Sequence, residues 1–133
     1  MATHEAKRKP GLPLVRVVSD TGKLVCERCE VADSMFARTR GLLGRSGLES
    51  DGGMLIEPAG SVHMFFMRFP IDVVFLARDR TVVGVKHRLA PWRVAGARRA
   101  VASLELPAGR AAEVGVEKGD VLVFENVADA ANG

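Results

Sequence analysis

Short apolar runs, each cut off within about four to eight residues by a turn signal, set the narrowest limit on the fold. Leu12–Val18 ends at Ser19-Asp20-Thr21-Gly22 and is answered by Leu24–Val31, an N-terminal hairpin. Met54–Ile56 stops at Pro58, and Val62–Arg68 stops at Pro70. Val73-Val74-Phe75-Leu76 is continuously apolar, the pattern of a strand covered on both faces, and Thr81–His87 returns from it across Arg78-Asp79-Arg80. Ala100–Leu106 and Val121–Phe124 complete a set of about eight short strands. No strand–helix–strand alternation is sustained, so a doubly wound parallel sheet is not expected. The expectation is a mainly β fold, either a compact small barrel or two packed antiparallel sheets, because so many short strands need closure or stacking to bury their faces.

Only two short helices fit between the runs. Asp33 or Ser34 can cap the first, in which Met35, Phe36, Leu42 and Leu43 recur at helical spacing. Arg38, Thr39 and Arg40 fall on its polar side, and Gly41 and Gly44 end it. The glycine-rich stretch 44–53 has no Gly-Lys-Ser/Thr and is no phosphate-binding P-loop. The second helix is Ala108–Val114, and Ala90–Arg99, with Pro91 and Gly96, reads as a loop. At 133 residues, 47% hydrophobic and 26% charged, the chain fits one soluble domain over residues 12–127, with polar tails at 1–11 and 128–133.

The net charge of +3 divides unevenly: residues 1–100 carry 17 basic and 10 acidic groups, and residues 101–133 carry two and six. The only tight basic cluster is Lys7-Arg8-Lys9 in the N-terminal tail, so nucleic acid is not expected as a partner. There is neither a signal-peptide pattern nor an apolar run near the roughly 18 residues of a membrane span. No membrane partner and a cytoplasmic location are the default expectations.

Cys26 and Cys29 form a lone C-x-x-C. A structural zinc site needs two further ligands, and His63 and His87 stand at irregular distances. The pair lies inside a strand rather than at a strand-to-helix turn, so it is no thioredoxin-like motif. Residues i and i+3 of a regular strand face opposite ways, which disfavours a disulfide. Two reduced cysteines in a strand or bulge are expected. His63 with Met64 and Met67 has the donor types of a copper site, but methionine among phenylalanines is ordinarily core filler. No metal and no cofactor are expected.

The polar residues set among apolar ones are His63, Arg68, Asp72, Trp92 and Glu105. Buried charges need partners, and Arg68 with Asp72, or Arg68 or Arg93 with Glu105, are the natural pairs. Ser61 and Ser103 have no adjacent base. The leading reading is a small binding domain in which these five residues hold a small polar or anionic ligand. One alternative is a hydrolase-like enzyme using Asp72 or Glu105 with His63 as acid and base. Another is a protein-interaction module presenting Phe65, Phe66 and Trp92.

Arg40-Gly41-Leu42-Leu43-Gly44-Arg45, Gly53-Met54-Leu55, His63, Met67 through Leu76, Pro91-Trp92, Leu104 through Gly109 and Gly119-Asp120 form an ordered series. Over roughly residues 24–125 that series resembles the bacterial and archaeal family called domain of unknown function 192. The resemblance implies a compact, mainly β domain with short helices and brings no established activity. Many family members look exported, with an N-terminal signal, a pattern this chain departs from.

Overall fold

The computed structural model describes residues 13–42 and 44–126. The expected tails at 1–11 and 128–133, and residues Leu12 and Leu43, lie outside the described residues.

Nine strands and two helices follow one another: β1 (Leu14–Ser19), β2 (Leu24–Ala32), α1 (Met35–Leu42), β3 (Gly52–Ile56), β4 (Ser61–His63), β5 (Ile71–Leu76), β6 (Val82–Leu89), β7 (Val94–Gly96), β8 (Ala102–Pro107), α2 (Arg110–Val114) and β9 (Leu122–Asn126). Seven strands form one sheet in the order β6-β5-β8-β3-β2-β1-β9, and β4 pairs with β7 in a second, two-stranded sheet. The fold is mainly β, as the punctuated runs require.

Two expectations are corrected. The large sheet is mixed, because β2 and β3 run parallel while every other ladder is antiparallel. A parallel pair needs a crossover connection, and α1 lies in it. The sheet is also not a closed barrel. Its edge strands are joined by no ladder among the described residues, but by the isolated bridge Thr81–Val121 and a few bonds beside it, such as Val82 N–H donating to Asp120 O at 2.7 Å.

The run predicted over Val62–Arg68 is the other local correction. Only Ser61–His63 is strand, and residues 64–70 form a loop, so His63, Phe65 and Met67 do not share a strand face. Conversely, the loop predicted over Ala90–Arg99 contains β7, which pairs antiparallel with β4.

β5 and β8 are adjacent interior strands of the large sheet. All six residues of β5 are buried, consistent with the continuous apolar run, and so are Ala102–Leu106 of β8. One core cluster holds Val17, Val25, Val74, Leu76, Leu104 and Leu106, and another holds Met54, Ile56, Met64, Ile71, Val73 and Phe75. Because β8 is covered on both faces, Glu105 is as buried as its neighbours Leu104 and Leu106.

Asp72 is the polar tie between these layers. It is fully buried in β5, and among the described residues no basic side chain pairs with it. Its Oδ1 accepts from the Arg88 N–H at 2.8 Å, where β6 takes a left-handed backbone turn (φ 50°). Its Oδ2 accepts from the N–H groups of Gly109 at 3.0 Å and Ala111 at 2.8 Å, at the start of α2. A helix start has unpaired donors, and Gly109 offers no side chain to cap them. A carboxylate from a neighbouring strand does so instead.

Cys26 and Cys29 correct the face argument. Val15 pairs with Cys29 and Val17 with Cys26, so two residues of β2 oppose one of β1. This bulge turns both cysteines to the same buried face. Both are free thiols. A hydrogen bond with Cys29 draws the Cys26 thiol below its ordinary value, while burial pushes that of Cys29 well above it. Gly53, the partner of Cys29 on β3, must be glycine: a Cβ there would lie 2.8 Å from Glu105 O and 2.9 Å from Cys26 Sγ.

Replacing Asp72 by Ala strands three backbone donors and should cost roughly 3 kcal/mol or more in urea unfolding. A variant within about 0.5 kcal/mol of the parent would show that these bonds carry little of the fold.

Candidate functional site

The site grows from a charge that the apolar core cannot hold alone. Glu105 sits in β8 at 0% exposure, and Arg38 of α1 meets it at 1%. The Arg38 Nε donates to both carboxylate oxygens, at 3.0 and 3.1 Å, and Nη2 lies 2.7 Å from Oε2. Two edges of one guanidinium therefore engage one carboxylate, the geometry in which arginine surpasses lysine. Burial pushes the Glu105 carboxyl up, and the charge and hydrogen bonds of Arg38 draw it part of the way back.

Arg38 was expected on the solvated side of its helix. Its face is instead the buried one: Arg38, Gly41 and Leu42, at i, i+3 and i+4, all point inward. The Ser34 hydroxyl caps this helix, accepting from Ala37 N–H at 3.1 Å. Two signals in the chain pointed to the arrangement. Glu105 lies in an apolar strand and demands a cation, and Arg38 shares a helical face with Gly41 and Leu42.

The same guanidinium reaches outward. Its Nη1 donates to His63 O at 2.7 Å, and Nη2 lies 3.6 Å from Met64 Sδ. Met64 in turn is the hinge of the two surface loops. Its N–H donates to Arg93 O at 2.8 Å, and its carbonyl accepts from Trp92 N–H at 2.7 Å and from Met67 N–H at 3.2 Å. A continuous chain of bonds thus runs from Glu105 through Arg38 and Met64 to Trp92.

Above this frame lies a group of exposed rings. His63 stacks on Phe65 with centroids 4.7 Å apart, Phe66 meets Trp92 edge-on at 4.8 Å, and Phe65 tilts toward Trp92 at 6.1 Å. Phe65 is 42% exposed, Trp92 58% and Phe66 75%. Phe66 (φ 65°) and Trp92 (φ 70°) both hold left-handed backbone, which is costly for bulky side chains and clusters at binding sites. His63 is half-buried, and its Nδ1 accepts from Phe65 N–H at 3.3 Å. Burial, with the Arg38 charge nearby, lowers its pKa below the ordinary imidazole value.

The five residues singled out in the sequence therefore separate. His63 and Trp92 come together on the aromatic surface. Arg68 lies exposed on the loop that carries Phe65 and Phe66, pairing with neither Asp72 nor Glu105. Asp72 and Glu105 are interior, and their oxygens are taken by backbone N–H groups and by Arg38. Among the described residues, no group of three or more His, Cys, Asp or Glu could hold a metal ion. No described helix is long and apolar enough to cross a membrane.

Comparison with known proteins bears on this arrangement. The family model DUF192, described as "Uncharacterized ACR", matches residues 16–124. The chain belongs to the DUF192 family. A UPF0127 protein of Thermococcus sibiricus is 35% identical over 113 residues, covering 78% of this chain and 70% of that protein. A UPF0127 protein of Pyrococcus abyssi is 34% identical over 101 residues, covering 70% and 82%. Two solved structures share the DUF192 chain's fold at 26% identity. One, from Novosphingobium aromaticivorans and of unknown function, has a TM-score of 0.72 and covers 86% of this chain and 89% of that one. The other, described as a putative transcription regulator from Sinorhizobium meliloti, has a TM-score of 0.74 and covers 89% and 97%.

Arg38→Met leaves Glu105 buried without a counter-charge and should cost roughly 3–5 kcal/mol near neutral pH. Because burial holds the carboxyl above 4.5, the protonated form favours the folded state. The stability this gives is complete below the unfolded value and is lost as pH rises through the folded one. Urea unfolding of Arg38→Met should therefore show a smaller loss at about pH 5 than at about pH 8. A pH-independent loss would contradict a stranded carboxylate.

Proposed function

We propose that this protein is a binding domain whose recognition surface is the aromatic platform of His63, Phe65, Phe66 and Trp92. Its ligand is a small polar molecule that lays a flat face on the rings, with His63 and the exposed Arg68 supplying polar contacts. The observation that carries this reading is the pair Phe66 and Trp92. Two bulky side chains stand exposed, edge to face, on backbone conformations that only a well-braced frame sustains. Rings displayed at a cost in strain and solvation serve recognition more naturally than packing.

Asp72 and Glu105 then belong to the frame and not to the ligand. The same engagement weighs against acid–base chemistry, because a general acid or base must reach a reacting proton, and neither carboxylate reaches the surface. A second reading draws on the same exposure. Phe65, Phe66, Trp92 and Val94 form the apolar surface of a protein-interaction module.

Trp92 is the sole tryptophan, so its fluorescence reports directly on the platform. A panel of nucleosides, monosaccharides and aromatic carboxylates should contain a class that shifts Trp92 emission saturably. Phe66→Ala should weaken that class by roughly two- to tenfold, in line with the worth of one stacking contact. Saturable binding mapped by amide shifts away from residues 63–68 and 92 would overturn the proposal. Self-association that Trp92→Ala abolishes, seen by light scattering, would favour the interaction reading.

A further inference from the structure

We propose that the open cleft between the turns at 97–100 and 117–120 is a binding site for a phosphomonoester. Arg98, Arg99 and Lys118 line it together with Val83 and Ala97, and its volume is about 540 Å³. In the sequence these cations look unrelated, since Lys118 comes from the acidic C-terminal stretch. The fold brings them together.

Both turns are anchored. Gly119 N–H donates to Val82 O at 2.8 Å and Val82 N–H donates back to Asp120 O at 2.7 Å, which pins the Lys118 turn beside Val83 on β6. Gly119 takes φ 100°, a conformation open to glycine. On the other side, Ala97 N–H donates to Gly60 O at 3.3 Å and Ala100 N–H to Ala97 O at 3.3 Å. Arg99 holds a left-handed backbone at φ 69°. Gly84 of β6 lies close under this turn, where an added Cβ would meet Ala97 Cβ at 3.1 Å. The cations therefore stand on fixed loops around a partly apolar floor.

Charge makes the case for an anion. Among the described residues, none of the three cations forms an ion pair or hydrogen bond, which leaves all three side chains available to a ligand. The nearby Asp120 Oδ2 is occupied by Glu117 N–H at 2.9 Å. Three positive charges in one concavity outnumber the two carboxylates of the adjoining turn, Glu117 and Asp120, and the net positive face attracts an anion. Arginine forks and a lysine ammonium match phosphoryl oxygens. The volume exceeds a bare phosphate, and Val83 with Ala97 offers apolar contact to an organic group.

The test is an amide-shift titration of the full chain with inorganic phosphate and with phenyl phosphate at constant ionic strength. Saturable shifts should centre on Val83, Ala97, Arg98, Arg99, Lys118 and Gly119, with phenyl phosphate binding more tightly. The exposed double variant R98A/K118A should keep the parent melting temperature and weaken phenyl phosphate by about tenfold or more. Shifts that rise linearly without saturation, that sodium chloride reproduces, or that persist in the variant would overturn the site. Tight binding of a single-stranded oligonucleotide across the same residues, with no saturable phenyl phosphate binding, would also overturn it in favour of nucleic acid.

Discussion

The ion pair of Arg38 and Glu105 is the interaction on which the described surface depends. A carboxylate in the middle of a doubly covered strand is tolerable only with a partner that satisfies both oxygens. Arg38 does this with two edges of its guanidinium and still has donors for His63 O and Met64 Sδ. A buried pair of this kind seldom adds stability over well-packed hydrophobes. Its value here is geometric: it fixes α1, β8 and the start of the β4–β5 loop to one another. Met64 passes that constraint to Trp92 and Arg93 through main-chain hydrogen bonds. The strain at Phe66 and Trp92 is held by this bonded frame.

The same economy governs Asp72. One carboxylate caps the start of α2 and fixes the turn at Arg88, joining three elements that the core alone would leave loosely related. Both interior acids thus act as connectors between layers. The chain places its ordinary aromatic filler, Phe69 and Phe75, inside, and keeps Phe65, Phe66 and Trp92 outside.

Much of the fold was legible because strands announce themselves by local pattern. The apolar run Val73–Leu76 marked the fully buried strand β5, and the turn at Arg78-Asp79-Arg80 its hairpin with β6. Three features were not local and were misread. The parallel pairing of β2 and β3 depends on where the crossover through α1 returns. The common face of Cys26 and Cys29 depends on a bulge set by register against β1. The partner of Glu105 depends on a helix docking 67 positions away in sequence. The polar residues set among apolar ones stood out by pattern, but the fold divides them between interior and surface in a way that spacing could not show. The run Val62–Arg68 was misread for a different reason. Its strand-like composition belongs to a loop that exposes Phe65 and Phe66, so the departure from local rule coincides with the proposed binding surface.

The most direct measurement of the central claim is amide hydrogen exchange in Arg38→Lys. Lysine keeps the positive charge beside Glu105 but cannot span the carboxylate, His63 O and Met64 Sδ together. If the pair braces the platform, the Trp92 and Met64 amides should exchange faster by about tenfold or more, while those of Val74 and Leu104 keep their protection. Unchanged exchange at Trp92 and Met64 in a folded variant would show that the aromatic surface stands without its buried arginine.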